Sequence, residues 1–107
     1  MAVKVSADNF AAEVLQSKIP ALVDFYADGC IPCRRLSPIL AELEEEAGGA
    51  WKLCKVNVGA NLPLAQRCGV LSAPTIIAFR DGEERARHPG FLEKDAVTEI
   101  LNQILEG

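Results

Sequence analysis

The chain has 107 residues, 50% hydrophobic and 24% charged, a composition typical of one folded domain over residues 1–107 without low-complexity segments. Its formal net charge of −4 at pH 7 argues against nucleic-acid binding, and no segment approaches the length of a membrane span. Residues 1–6 lack the apolar stretch of a signal peptide, so we expect a cytoplasmic protein, in which a close cysteine pair is typically catalytic or metal-binding.

The hydrophobic periodicity predicts strands and helices that alternate for most of the chain. In order they are a strand at 2–5, a helix ended by Pro20, a strand at 21–26, a helix at 32–47, a strand at 51–58, a short helix at 62–68, strands at 75–79 and 83–88, and a helix at 93–105. Either Ser6 or Asp8 caps the first helix. Its apolar face carries Phe10, Val14 and Leu15.

The order of these elements predicts how they connect. The second strand, the second helix and the third strand follow one another, which predicts a parallel strand pair joined by a right-handed crossover. Pro38 should kink the intervening helix, which Gly48-Gly49 ends. Asp81-Gly82 predicts a tight hairpin between the last two strands. The predicted fold class is α/β, with a central mixed sheet of four to five strands flanked by about four helices.

A cysteine motif, Cys30-Ile31-Pro32-Cys33, lies where the strand at 21–26 turns into a helix. The free N–H groups and the dipole at a helix start favour a thiolate over a thiol, and a thiolate is the nucleophile in thiol–disulfide exchange. Pro32 suits the first helical turn, because its missing N–H would have no partner there. The motif therefore predicts a redox-active dithiol.

Further segments accompany this motif along the chain. They are Val23-Asp24-Phe25, Pro38-Ile39-Leu40, Lys55-Val56-Asn57-Val58, Gly69-Val70, Ala73-Pro74-Thr75, Asp81-Gly82 and Gly90, together with the basic Arg34 after the second cysteine. In this order and spacing the chain resembles the thioredoxin family from end to end. The resemblance implies the thioredoxin fold and a thiol–disulfide oxidoreductase that reduces protein disulfides and carries electrons in cell redox homeostasis. A disulfide oxidase or isomerase of the same fold is the alternative.

The resemblance also implies roles within the dithiol and around it. Cys30 becomes the attacking thiol and Cys33 the buried resolving thiol, an order that fits the position of Cys33 one turn inside the helix. Pro74 matches the cis-proline of the family, which offers the backbone of Ala73 to an extended substrate segment. The implied substrate-binding residues are Gly29, Ile31, Pro32, Ala73, Pro74 and Gly90.

Asp24 places a carboxylate inside an apolar strand, where burial is costly unless the group is paired or protonated. A solvent-facing position is the alternative, although Leu22 and Tyr26 share its face. The resemblance implies a buried catalytic base with a raised pKa that helps to deprotonate Cys33. Lys55 would be its neighbour on the adjacent strand, and a solvated lysine without a catalytic role is an equal alternative.

Cys54, Cys68 and His88 fit structural or solvated positions better than catalytic ones. Cys54 alternates within an apolar strand, as a small buried hydrophobe does, and His88 on a predicted edge strand is typical of a solvated side chain. Cys68 ends a short helix near the expected active face, so a redox role there is a minority alternative. Cys54 and Cys68 are too far apart for a second Cys-x-x-Cys pair, so no metal site is expected.

Two other classes of protein could use the same cysteine motif. A zinc-binding module or a non-catalytic interaction module would compete with the enzyme, and the intact dithiol argues against both.

Gly29 stands where thioredoxins usually carry tryptophan, and Ile31 replaces the usual glycine between the cysteines, so the docking rim differs. We expect a monomer without a bound cofactor. Its partners are disulfide-containing proteins and a thioredoxin-reductase-like protein, either the NADPH-dependent flavoprotein typical of the family or an atypical or ferredoxin-linked one.

Overall fold

The computed structural model describes residues 2–106, which form five strands, three α-helices and one π-helical segment. The strands are β1 (Val3–Lys4), β2 (Ala21–Tyr26), β3 (Lys52–Asn57), β4 (Thr75–Arg80) and β5 (Glu83–Pro89). The α-helices are α1 (Ile31–Ala47), α2 (Leu62–Arg67) and α3 (Lys94–Glu106), and the π-helical segment is Ala11–Leu15. None of the helices in this part of the chain has the length and apolar character needed to cross a membrane.

All five strands join one mixed sheet in the order β1-β3-β2-β4-β5. β1, β3 and β2 run parallel, while β4 pairs antiparallel with both β2 and β5. The predicted parallel pair and the predicted hairpin are both present, and the expected fold class is confirmed. The start of α1 follows the central strand β2, so it lies at the carboxyl end of the parallel strands, where α/β proteins commonly place their sites.

Two apolar clusters cover the two faces of the sheet. The cluster between the sheet and helices α1 and α3 contains Leu22, Leu36, Leu40, Leu53, Ile76, Val97, Ile100 and Leu101. The cluster between the sheet, α2 and the π-helical segment contains Val14, Val23, Phe25, Cys54, Val56, Leu64 and Ile77. Successive residues of a strand alternate between these layers, so the register decides which neighbours a side chain meets.

Helix α1 begins directly after the first cysteine and is continuous to its end at Ala47, although Pro38 lies inside it. Cys30 is the N-cap residue, and Pro32 lies in the first turn as predicted. Gly48 ends the helix with a φ of 58°, in the left-handed region that glycine adopts without strain. The kink at Pro38 stays a prediction.

The predicted first helix is shorter than expected and is π-helical. The N–H of Gln16 donates to the carbonyl oxygen five residues earlier at 2.8 Å, and this wider turn places one more residue in each turn. Val14 is buried, whereas Leu15 is 39% exposed. The expectation that Leu15 shares the buried face is therefore wrong, because Leu15 directly follows the buried Val14 and successive residues of a helix do not face the same side. The predicted cap at Ser6 or Asp8 is wrong, because the N-cap residue is Phe10 and no side chain caps the segment. Ser6 Oγ instead accepts the N–H of Asp8 at 3.2 Å in the turn before it.

Candidate active site

The two cysteines of the motif form a disulfide at the start of α1. Their Cα atoms are 5.2 Å apart. The N–H of Cys33 donates to Cys30 Sγ at 3.2 Å, and the N–H of Arg34 donates to the carbonyl oxygen of Cys30 at 3.1 Å. In the reduced protein an amide in this position favours a thiolate at Cys30, because it lies at the positive end of the helix dipole.

The two sulfurs differ in depth. Cys33 is 5% exposed, while Cys30 is half-buried and the intervening Ile31 is 67% exposed. An incoming disulfide therefore reaches Cys30 first, because Cys33 is shielded inside the helix. This difference supports the predicted order, in which Cys30 attacks and Cys33 resolves.

The loop before β4 lies against the dithiol. The Ala73–Pro74 peptide bond is cis, as the resemblance implies, and the Ala73 carbonyl oxygen is 3.8 Å from Cys30 Sγ. The N–H of Gly90 donates to the Pro74 carbonyl oxygen at 2.7 Å. The structure therefore brings Ala73, Pro74 and Gly90 to the end of the sheet that carries the cysteines, and their part in substrate binding stays a prediction.

A cleft of about 250 Å³ opens beside the buried cysteine. It is lined by Tyr26, Ala27, Asp28, Gly29, Cys33, Arg34, Ser37 and Lys55. Gly29 has a φ of +71°, which side chains other than glycine rarely adopt, and no atom lies within 4 Å of the position a Cβ would take. The glycine that replaces the usual tryptophan thus leaves the rim of this cleft uncovered.

Asp24 is 1% exposed on the central strand β2, so the solvent-facing alternative is wrong. Among the described residues, none donates a hydrogen bond to either of its carboxylate oxygens. Burial raises the pKa of this carboxyl from 3.8 to about 6, and the positive charge of Lys55 offsets part of that rise. Such a carboxyl changes its protonation close to neutral pH, as a proton acceptor for a thiol requires.

Lys55 pairs with Asp24 in register on β3, and its Nζ lies 3.6 Å from Asp24 Oδ2. The ammonium donates a hydrogen bond to Ser37 Oγ at 2.7 Å and lies 4.9 Å from the centre of the Tyr26 ring. The lysine side chain is 24% exposed. The predicted neighbour of Asp24 is confirmed, while a catalytic role for Lys55 stays a prediction.

Sequence reasoning missed Ser37. It follows Cys33 by four residues, and residues four apart lie on the same face of a helix, so the spacing itself held a signal. The chain gave no sign of what the hydroxyl would meet. Ser37 and Lys55 are 18 residues apart and come together because α1 packs on β3.

The other two cysteines lie on the α2 side of the sheet. Cys54 is fully buried there, as predicted, and desolvation raises the pKa of its thiol to about 11. Cys68 is half-buried, and burial raises its pKa while the charges of Arg87 and Arg67 lower it. Neither environment favours a thiolate. His88 lies half-buried on the edge strand β5, in register with a residue of β4.

The fold and the site together define a class of protein. A disulfide at a helix start, with one shielded sulfur, lies beside a cis-proline loop and on the face of the sheet that buries a carboxyl of raised pKa. Within residues 2–106, no group of three or more His, Cys, Asp or Glu side chains is arranged to hold a metal ion. This is the arrangement of a thiol–disulfide oxidoreductase.

The chain belongs to the thioredoxin family, whose Thioredoxin model matches residues 1–103. The thioredoxin of Rickettsia felis is 37% identical over 103 residues, which are 96% of this chain and 98% of the relative. The thioredoxin of Bacillus subtilis is 37% identical over 96% of this chain and 97% of its own, and Thioredoxin 1 of Nostoc sp. is 35% identical over 97% of each chain. The resemblance seen in the sequence is confirmed, and the protein is a protein-disulfide oxidoreductase.

Proposed function

We propose that the protein reduces disulfide bonds in other proteins and is itself left oxidised. The Cys30 thiolate attacks one sulfur of the substrate disulfide, which breaks that bond and joins Cys30 to the substrate in a mixed disulfide. Cys33 then loses its proton and attacks Cys30 Sγ, so the second substrate sulfur leaves as a thiolate and the Cys30–Cys33 bond forms. The observation that carries this order is the shielding of Cys33, which is 5% exposed beside a half-buried Cys30.

Asp24 acts in the second step of this scheme, as the acceptor of the Cys33 proton. Its support is a pKa of about 6 and a place on the α1 side of the sheet, where Cys33 and Lys55 line a common cleft. At neutral pH such a carboxyl is mostly ionised and free to accept a proton. Its raised pKa also makes it a stronger base than an exposed carboxylate.

The substrates in this scheme are disulfide-containing proteins that present an extended segment to the cis-proline loop. The backbone of Ala73, 3.8 Å from Cys30 Sγ, offers strand-like pairing beside the reacting sulfur. Ile31, with 67% of its surface exposed, adds an apolar contact between the cysteines. Gly29 and Gly90 complete the substrate-binding residues of this scheme.

A reductase partner returns electrons to the dithiol after each turnover. No bound cofactor is needed in this scheme, because the two sulfurs carry the electron pair. The NADPH-dependent flavoprotein typical of the family is the default partner. An atypical or ferredoxin-linked reductase is the alternative, since Gly29 removes a large aromatic contact from the rim and Ile31 changes its shape. We place the protein in the cytoplasm as a monomeric electron carrier.

Trapping tests the order of the two thiols. Cys33→Ser should accumulate mixed disulfides with protein substrates, because Cys30 still attacks and nothing resolves the product. Cys30→Ser, the matched control with the same exchange of sulfur for oxygen, should trap nothing. Trapping by Cys30→Ser alone would reverse the assignment.

The redox equilibrium tests the direction of the reaction. Incubation with glutathione buffers of known potential, followed by alkylation of free thiols, gives the fraction of Cys30–Cys33 disulfide. Reducing carriers of this family have potentials of about −270 mV, and strong dithiol oxidants have potentials of about −120 mV. We expect the potential of this protein to lie closer to that of the reducing carriers. A value close to the oxidant end would make the protein an oxidase instead.

A further inference from the structure

The ammonium of Lys55 has three neighbours at different distances. It donates a hydrogen bond to Ser37 Oγ at 2.7 Å, lies 3.6 Å from Asp24 Oδ2 and lies 4.9 Å from the centre of the Tyr26 ring. A separation of 3.6 Å is too long for a hydrogen bond. The cation therefore lies next to the carboxylate while its hydrogen bond goes to the serine.

The surroundings of Asp24 leave Lys55 as the charge that acts on it. The residues in register with it are Lys55 on β3 and Ile76 on β4. The cleft that Lys55 lines is also lined by Cys33, Arg34 and Ser37 of α1 and by Asp28 of the preceding loop, but of these charges only that of Lys55 contributes to the pKa shift of Asp24. The buried side chains of α3 on this face are all apolar. Burial thus sets most of the balance between the ionised and the neutral carboxyl, and the position of one ammonium adjusts it.

A direct hydrogen bond from Lys55 would change that balance. Charge-assisted hydrogen bonds are short and strong, so such a bond would stabilise the ionised carboxylate more than the present 3.6 Å ion pair does. A carboxylate stabilised in this way holds a proton less tightly and is a weaker base. The Ser37 hydroxyl competes for the same ammonium from a fixed position on α1.

We propose that Ser37 is a positioning residue, which holds the Lys55 ammonium out of hydrogen-bond contact with Asp24 and so keeps the carboxyl a stronger proton acceptor for Cys33. This inference rests on the proposed role of Asp24 in resolution. Ser37 acts through Lys55, and it does not act on the substrate.

A titration of the Asp24 carboxyl by carbon-13 NMR in the full-length protein tests the placement of the ammonium. Ser37→Ala removes the acceptor and puts a better helix former into α1, so the variant should fold. It should lower the titration midpoint of Asp24 by about one pH unit, the scale of one charge-assisted hydrogen bond. Ser37→Thr keeps a hydroxyl and should bring the midpoint back toward that of the wild type.

Lys55→Gln provides the control. In that background the Ser37→Ala change should leave the Asp24 midpoint where it was, because the hydroxyl then has no ammonium to hold. An unmoved midpoint in Ser37→Ala alone would overturn the proposal. An equal shift with and without Lys55 would overturn it as well, since the hydroxyl would then act on the carboxyl without the lysine.

A kinetic readout separates this inference from the function on which it rests. The rate at which Cys33 resolves a mixed disulfide is measured against pH in the wild type and in Ser37→Ala. We expect the midpoint of the kinetic pH profile in Ser37→Ala to shift to lower pH together with the NMR midpoint. If the midpoint moves and the kinetic profile does not, the placement of Lys55 by Ser37 stands and the base role of Asp24 fails.

Discussion

The two faces of the strand pair β2 and β3 each bury an acidic group, and burial has opposite consequences for them. On the α1 face, Asp24 is 1% exposed and lies in register with Lys55. On the α2 face, Cys54 is fully buried and lies in register with Val23. Removal from water favours the neutral form of both groups, and it raises the pKa of the carboxyl to about 6 and that of the thiol to about 11.

Burial raises the pKa on both faces, but the ordinary pKa values of a carboxyl and a thiol differ. An ordinary carboxyl titrates well below neutral pH, so burial carries Asp24 toward the range in which it exchanges protons. An ordinary thiol titrates above neutral pH, so burial carries Cys54 further from reactivity. The reactive sulfur lies instead at a helix start, where the N–H of Cys33 reaches Cys30 Sγ. Desolvation suits a carboxyl for proton transfer and disables a cysteine as a nucleophile.

The largest expected difference in activity is between a variant without the Cys30 thiol and a variant without the Cys54 thiol. Cys30→Ser should reduce the rate of insulin-disulfide reduction to the uncatalysed level, because the attacking sulfur is lost. Cys54→Ala should keep that rate within about twofold and cost about 1 kcal/mol of stability, since it removes one buried sulfur from a packed layer. Turnover assays and urea unfolding measure the two effects. Retained reduction by Cys30→Ser would place the nucleophile elsewhere.

Asp24→Asn should stabilise the oxidised protein by about 2 kcal/mol at pH 7, because it removes a buried charge. The sign follows from the raised pKa, since the folded chain binds this proton more tightly than the unfolded chain does. The contribution of Asp24 to the stability of the folded wild type is therefore fully present below pH 3.8 and is lost as the pH rises through about 6. Urea unfolding of both proteins should show a difference that grows from about pH 4 to about pH 7. A difference that stays constant would mean that Asp24 titrates alike in both states.

The order of alkylation sharpens the contrast between the thiols. In the reduced protein at neutral pH, iodoacetamide should modify Cys30 first, Cys68 much later and Cys54 only when the chain unfolds. With a pKa of about 11, only about one Cys54 in 10⁴ is a thiolate at pH 7, and its burial excludes the reagent. Peptide mass spectrometry over time gives the three rates. Native-state labelling of Cys54 as fast as that of Cys68 would show that the α2 face admits solvent.

The smallest expected effect is in tryptophan fluorescence. Trp51 is buried just before β3, while the dithiol follows the opposite end of the neighbouring parallel strand, so about 20 Å separates them. Emission should barely change when the disulfide is reduced. Gly29→Trp places a second indole beside the cysteines and should make emission redox-dependent, at a strain of about 1 kcal/mol for a side chain at a φ of +71°. A large change in the unmodified protein would contradict the separation.

The order of strand, helix and strand was enough to predict the parallel pair β2 and β3, Asp81-Gly82 predicted the hairpin, and the apolar strand around Asp24 predicted its burial. The position of Cys30 at a helix start could also be predicted, because it depends on neighbours in sequence. Two other features could not be predicted. The π-helical geometry of Ala11–Leu15 depends on i→i+5 hydrogen bonds, which hydrophobic spacing does not encode. The Ser37–Lys55 hydrogen bond depends on how a helix sits on a strand 18 residues away.

The pH dependence of mixed-disulfide resolution tests most directly whether burial on the α1 face equips Asp24 for proton transfer. A mixed disulfide between Cys30 and a small thiol is formed, and its release by Cys33 is timed in the wild type and in Asp24→Asn. The wild-type rate should rise as the pH passes about 6, where the carboxyl ionises. Asp24→Asn should lack that rise and be about 10- to 100-fold slower at pH 7. Identical profiles in the two proteins would contradict the account.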